Sequence, residues 1–151
     1  MTKFLLSLHV LAAIVAVGPV TVAASMFPPA ARRAGTEEAG VGTVRLLHRI
    51  CRVYAAVGVA VPVLGVATGA AMGVLGDAWL TASMVLTAAA AGILAAFVLP
   101  RQGELLDALT GQGSVERRAT AQLAMFTGLF NLLWATVTVL MIVRPGSTTG
   151  A

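Results

Sequence analysis

The sequence predicts an all-α fold, a bundle of four transmembrane helices. Four long apolar stretches occupy most of the 151 residues, with hydrophobic residues at 58% of the chain and charged residues at only 11%. A bilayer core about 30 Å thick requires roughly 20 apolar residues per helix. The stretches are rich in Ala, Leu and Met and do not alternate strictly, which is typical of helices and not of barrel strands. We expect a single integral membrane domain over residues 1–151.

The predicted helices span about residues 4–27, 53–75, 79–99 and 121–143. Pro28 and Pro29 are expected to end the first helix, and residues 32–44 are expected to form a linker. Residues 102–109 are expected to prolong the third helix at the membrane interface, with Leu105, Leu106 and Leu109 facing lipid. Residues 111–114 are expected to end this helix, and the tail 144–151 is expected to be flexible.

The first stretch also has features of a signal peptide. Lys3, an apolar run and the small residues 22–25 resemble a basic region, a hydrophobic region and a cleavage site. The apolar run is long for a signal peptide, and its polar flank continues into Arg32 and Arg33. These two observations favour a retained helix.

The basic residues predict an orientation for the bundle. Eight of the ten fall on the side of the first and third connections: Arg32, Arg33, Arg45, Arg49, Arg52, Arg101, Arg117 and Arg118. Only Lys3 and Arg144 lie on the side of the termini. Positive residues accumulate in the cytoplasm, so we expect both termini to be non-cytoplasmic. Nine Arg to one Lys, with abundant Ala and Gly, indicates a GC-rich bacterial source and hence a bacterial plasma membrane.

The charge and the single cysteine add little chemistry. The net charge of +4 is explained by topology, with anionic lipid headgroups and not nucleic acid as the expected partner. Cys51 has no second cysteine to pair with, and we expect it to be a small buried hydrophobe rather than a reactive thiol. No phosphate-binding loop, no paired carboxylates at depth and no cysteine-based metal motif are present.

Glycines at four-residue spacing predict close helix packing. Gly65, Gly69 and Gly73 lie on one face of the second stretch, and small-residue faces let helix backbones approach closely in lipid. We expect this face to pack on the third helix, at Ala88, Gly92 and Ala96. A homodimer through the same glycine face is the alternative. Pro19 and Pro62 are expected to kink their helices.

His9 is the strongest candidate for a functional residue, because ionisable groups inside spans are rare. A neutral imidazole there can bind a metal or haem iron, relay a proton or hydrogen-bond a neighbouring hydroxyl. His48 lies about one membrane thickness away. The two histidines therefore cannot ligate one haem within a subunit, and a bis-histidine pair would need two copies of His9.

The fourth stretch carries a polar stripe, which we expect to line a pocket together with His9. Its residues recur at intervals of four, three and four and share one helical face: Thr127, Asn131, Trp134 and Thr138. Thr68, and Thr81 or Ser83, lie at the same predicted depth. The alternative is that the stripe serves only interhelical hydrogen bonding.

A second group of polar residues precedes the second stretch at helical spacing: Arg45, His48, Arg49 and Arg52. A cationic face at the membrane boundary is typical of binding to lipid phosphates. We expect these four residues to contact lipid headgroups.

Residues 5–18, with a Leu-His pair at positions 8 and 9 and a glycine at position 18, resemble the first helix of several small bacterial four-helix membrane families. Over most of its length the chain is most similar to a family of predicted integral membrane proteins of unknown function. The first helix is also similar to that of membrane-bound protoporphyrinogen oxidases, which implies haem binding or tetrapyrrole oxidation at His9. A third similarity, to copper-resistance D-type proteins, implies that His9 is a copper ligand.

We therefore expect a multi-pass membrane protein that acts as a binding or accessory protein, with a small polar site near His9. A porphyrin-linked oxidoreductase or a metal-handling protein is one alternative. A small dimeric transporter is another.

Overall fold

The computed structural model describes residues 1–37, 40–111 and 113–147, and all regular structure in them is helical. There are six α-helices and one π-helical turn: α1 Thr2–Ala34, α2 Gly40–Val57, α3 Ala60–Met72, α4 Ala78–Ile93, the π turn Leu94–Val98, α5 Leu99–Thr110 and α6 Arg117–Val143. They combine into four helices long and apolar enough to cross a membrane: Thr2–Ala34, Gly40–Met72, Ala78–Thr110 and Arg117–Val143. The all-α prediction with four such helices is confirmed. We call the end that holds the chain termini the terminal end, and the opposite end the loop end.

The first helix is longer than predicted. The prediction that Pro28 and Pro29 end it is wrong, because α1 runs through both prolines to Ala34. Phe27, Pro28 and Ala31 are all buried against neighbouring helices. Such packing lets a helix retain prolines that lack a backbone donor.

The second span is divided near its middle. Helix α2 ends at Val57 and α3 begins at Ala60. Pro62 has no N–H to offer the Gly58 carbonyl, which accepts instead from the Val61 N–H at 3.0 Å. The predicted proline effect thus appears as a break four residues before the proline. Because α2 starts at Gly40, the final residues of the predicted linker 32–44 are helical.

The third span contains a π turn just before Pro100. This wider turn at Leu94–Val98 keeps the helix continuous where the proline removes a donor. Helix α5 then extends to Thr110, as the prolongation predicted. The prediction that Leu105 faces lipid is wrong, since it is 6% exposed and belongs to the core.

Helix α6 begins at Arg117, four residues before the predicted start, and ends at Val143. Parts of three predicted segments lie outside the described residues. These are 38–39 in the linker, 112 in the third connection and 148–151 in the tail.

The first span is central to the bundle. Helix α1 packs against α2, α3 and α6, while α4 packs mainly against α6. At the loop end α2 also meets α5, but α3 and α4 touch only sparsely. The main core therefore sits between α1, α2, α5 and α6 and is centred on Phe27, Leu123 and Val98. A smaller cluster of Val74, Trp79 and Leu80 closes the terminal end.

The glycine stripe of the second span does not pack on Ala88, Gly92 and Ala96 as predicted, because Ala88 and Ala96 are exposed and Gly92 has nothing within 4 Å. A side chain at Gly65 would instead meet His9 of α1, and one at Gly69 would meet Leu80 at the start of α4. Gly73 serves a different purpose. Its φ of 71° ends α3, and the Gly73 and Val74 N–H groups bond back to Ala70 and Gly69, which is a Schellman cap. The homodimer through this face stays a prediction.

Candidate functional site

A small cavity lies at the terminal end, between α1, α3 and the end of α6. We call it the terminal-end pocket. Its volume is about 30 Å³, and it is lined by Leu6, His9, Gly65, Thr68, Gly69, Met72, Val74, Trp79, Leu80, Met141 and Arg144. A space of this size holds one water molecule or one ion. His9 and Thr68 are therefore brought together, as the sequence suggested.

The His9 ring is fixed by a backbone contact. Its Nδ1 lies 2.9 Å from the carbonyl oxygen of Val61. A carbonyl oxygen only accepts hydrogen bonds, so Nδ1 carries the proton and Nε2 of the neutral ring keeps a free lone pair. Val61 precedes Pro62 next to the break in the second span, so the break and the histidine belong to one local arrangement.

Gly65 provides the space for this ring. A Cβ added at Gly65 would lie 3.0 Å from His9 Cε1 and 3.4 Å from Nδ1. Those distances are at or inside ordinary van der Waals contact. The glycine that hydropathy suggested for helix–helix packing instead accommodates an imidazole.

Two methionines also line the terminal-end pocket. Met72 ends α3, Met141 lies in the last turn of α6, and both line the cavity with His9. Thioethers are soft donors, and imidazole also binds copper. Among the described residues, no three of His, Cys, Asp and Glu lie together, so this mixed group is the one we consider for a metal ion.

A cation and an aromatic ring sit at the edge of the same pocket. The Arg144 guanidinium lies 5.6 Å from the centroid of the Trp79 ring, and its Nε donates to the Met141 carbonyl at 3.2 Å. The Trp79 indole donates to the Asp77 carboxylate at 3.0 Å. The guanidinium is held by a cation–π contact at the expected position of the headgroups.

The polar stripe of the fourth span lies elsewhere. The Asn131 amide nitrogen donates to the Ser25 hydroxyl at 3.1 Å. Ser25 is sixteen residues after His9 on α1, which corresponds to about 24 Å along a helix. Thr127 is buried, Trp134 is half-buried, and Thr138 is exposed with its hydroxyl bonded to its own helix. The structure therefore does not join Asn131 to the His9 pocket.

The cationic face before the second span separates into two parts. Arg45, Arg49 and Arg52 are exposed along α2, whereas His48 is half-buried. The His48 Nδ1–H donates to the Gln102 side-chain oxygen of α5 at 3.0 Å, and its ring meets the edge of Phe27. Three arginines are thus free to meet lipid, while the histidine links two helices.

The loop end contains polar contacts that the sequence did not indicate. Gln102 is fully buried, and its amide nitrogen lies 3.5 Å from the sulfur of Cys51, which is also fully buried. The Arg32 Nε donates to the Thr120 hydroxyl at 2.9 Å. Gln102 lies in a polar stretch of sequence, and its burial becomes visible only where α5 packs on α2. The one sequence feature that could have predicted this burial is its three-residue spacing from Leu105, which places both on the same face of the helix.

A second cavity, of about 190 Å³, opens at the loop end. It is lined by Arg101, Glu104, Leu105, Ala108, Ser114, Glu116 and Ala119. Arg101 is held there by a 2.7 Å hydrogen bond to Gln122 and by the Phe126 ring, 5.1 Å from its guanidinium carbon. The cavity thus carries charges of both signs near the membrane boundary.

No protein-family model matches this chain, and no curated protein or solved structure is similar to it. The resemblances of the first helix therefore stay predictions.

Proposed function

We propose that this chain is a multi-pass protein of the bacterial plasma membrane that binds a small ligand in the terminal-end pocket. The observation that carries the proposal is the His9 ring, which is fixed through Nδ1 while Nε2 is left free beside a cavity. Histidines that ligate metals commonly donate their other ring N–H to a backbone carbonyl in this way. The proposed role is that of a binding or accessory protein.

The ligand class that fits best is a soft monovalent metal ion, Cu(I). Thioether and imidazole donors suit Cu(I), whereas carboxylate and carbonyl oxygens suit Mg²⁺ and Ca²⁺. His9, Met72 and Met141 would hold the ion, and a volume of about 30 Å³ suits an ion of this size. The adjacent Arg144 guanidinium repels cations, and it repels a monovalent ion less than a divalent one.

Pocket size argues against a porphyrin at the same position. A cavity of about 30 Å³ holds an ion or a water molecule and is far too small for a tetrapyrrole. His9 is also packed between α1 and α3, against Val61 and Gly65.

The distribution of arginine supports the proposed orientation. The eight loop-side arginines all lie at the loop end, where α1 ends, where α2 and α6 begin, and in α5. By the positive-inside rule the loop end faces the cytoplasm and the terminal-end pocket faces outward. The exposed Arg45, Arg49 and Arg52 then lie at the height of the anionic inner-leaflet headgroups.

The test is Cu(I) binding to the purified, full-length protein under reducing conditions, with a chromophoric Cu(I) chelator as competitor. We expect one equivalent to bind, and His9→Ala to abolish binding. Met72→Leu and Met141→Leu should each weaken it. Met125→Leu is the matched control, because Met125 is 60% exposed on the outside of the bundle. Its affinity should equal that of the wild type.

In this binding test, copper binding that survives His9→Ala, or wild-type protein that binds no Cu(I), would exclude the proposed site. An absorption spectrum of the same sample tests the porphyrin alternative. A Soret band in the purified protein would replace the copper proposal with a porphyrin-linked function.

A further inference from the structure

Three buried oxygen atoms in the described residues have no hydrogen-bond partner: Thr21 Oγ1, Thr127 Oγ1 and Asn131 Oδ1. Thr127 is the most enclosed, with 3% of its surface exposed. Polar groups buried without a partner are costly, and native proteins satisfy nearly all of them with protein groups or ordered water. Within a membrane the surrounding lipid offers no donor.

Other hydroxyls of this bundle satisfy themselves locally. Most donate to the carbonyl one turn back in the same helix: Ser7, Thr68, Ser83, Thr87, Thr110, Thr136 and Thr138. This local bond is the default for Ser and Thr in helices. Thr21 and Thr127 do not make this bond, so their hydroxyls are left available for another partner.

The three oxygens lie along one seam, between α1 and α6. The seam is located by the Asn131 to Ser25 hydrogen bond of 3.1 Å. Thr21 lies one turn from Ser25 on α1, and Thr127 lies one turn from Asn131 on α6, so each shares a helical face with its neighbour. Because the two helices run in opposite directions, the oxygens span about two helical turns, or 11 Å.

A proline adds a backbone acceptor to the same region. Pro28 has no N–H, so the Ala24 carbonyl one turn earlier lacks its usual donor. Pro28 is buried, so this carbonyl lies on the protein side of α1 and not on the lipid side. Acceptors therefore outnumber donors at the level of Ser25.

We infer that ordered water occupies the α1–α6 seam and bridges these oxygens. Water supplies two donors per molecule and typically makes about three hydrogen bonds when buried. The seam holds no ionisable residue, since residues 16–31 and 119–143 contain none, which favours a neutral occupant over an ion. The seam is thus a hydrated site between α1 and α6, distinct from the terminal-end pocket.

The first test measures whether the Tm falls or rises when the Thr127 hydroxyl is removed. Thr127→Val keeps the shape of the side chain and removes its hydroxyl. If water bridges that hydroxyl, the variant loses hydrogen bonds, and its Tm should fall by about 2–4 °C. Thr138→Val is the matched control, because that hydroxyl is exposed and bonds only to its own helix. If Thr127→Val has a Tm equal to or above that of the control, the hydroxyl is dry and the inference is wrong.

The second test measures water directly in lipid bilayers. Asn131→Cys and Leu132→Cys are each placed in a Cys51→Ser background and reacted with a small hydrophilic thiol reagent. Leu132 is 68% exposed on the outer surface of the bundle, where lipid excludes the reagent. We expect the Asn131→Cys thiol to react at least 10-fold faster. Equal rates would show that the seam is closed to water.

Discussion

Gly65→Ala tests whether this glycine exists to accommodate His9. The added Cβ would lie 3.0 Å from His9 Cε1, so one of the two groups must move. The ring cannot withdraw freely, because its Nδ1 is held by the 2.9 Å hydrogen bond to Val61, one turn from Gly65 on α3. The substitution should therefore displace the ring and weaken that bond.

The expected change in the free energy of unfolding combines two destabilising effects and one stabilising effect. Overpacking a tight contact costs about 1–3 kcal/mol, and loss of one hydrogen bond costs about 0.5–1.5 kcal/mol. Replacing glycine by alanine within a helix returns about 0.8–1 kcal/mol. The free energy of unfolding should fall by about 1–3 kcal/mol. Gly92→Ala is the control, because nothing lies within 4 Å of its added Cβ, and it should be stabilising by about 0.5–1 kcal/mol.

The assay is reversible unfolding of the four proteins of a double-mutant cycle in mixed micelles. Once His9→Ala has removed the ring, Gly65→Ala should become stabilising, as Gly92→Ala is. The coupling free energy should then be about 2 kcal/mol, within the range for residues in contact. If Gly65→Ala in the presence of His9 is as stabilising as Gly92→Ala, the reasoning about this contact fails.

Three further outcomes are expected. Gln102→Leu should lower the free energy of unfolding by about 1 kcal/mol, measured by denaturant titration, because it removes the acceptor of the half-buried His48 Nδ1–H. Replacing Arg45, Arg49 and Arg52 together with Gln should reduce the number of anionic lipids that co-purify, counted by mass spectrometry, because each arginine contributes about 1 kcal/mol of attraction to the anionic surface. Unchanged lipid retention would show that these arginines do not bind headgroups. A reporter fused to the C-terminus should show a non-cytoplasmic location, and a cytoplasmic signal would reverse the orientation.

Prolines and glycines show where reasoning from the sequence was incomplete. Pro28 and Pro29 were expected to end the first helix, yet α1 continues through both to Ala34, with Phe27, Pro28 and Ala31 buried. Gly73 was grouped with Gly65 by spacing alone. The first ends a helix with a positive φ, while the second accommodates a side chain, and spacing does not distinguish these two uses.

The sequence by itself determined the helical class, the four apolar spans, the concentration of arginine at the loop end, and the presence of an ionisable residue, His9, within an apolar span. These follow from local quantities, namely hydropathy over a window of about 20 residues and charge between windows. Only the tertiary structure decided which faces meet: His9 contacts Val61 and Gly65, and Asn131 bonds to Ser25. The physical reason is that lipid is as apolar as a helix face, so hydrophobicity does not select partners in a membrane, and shape and hydrogen bonding between helices distant in sequence do.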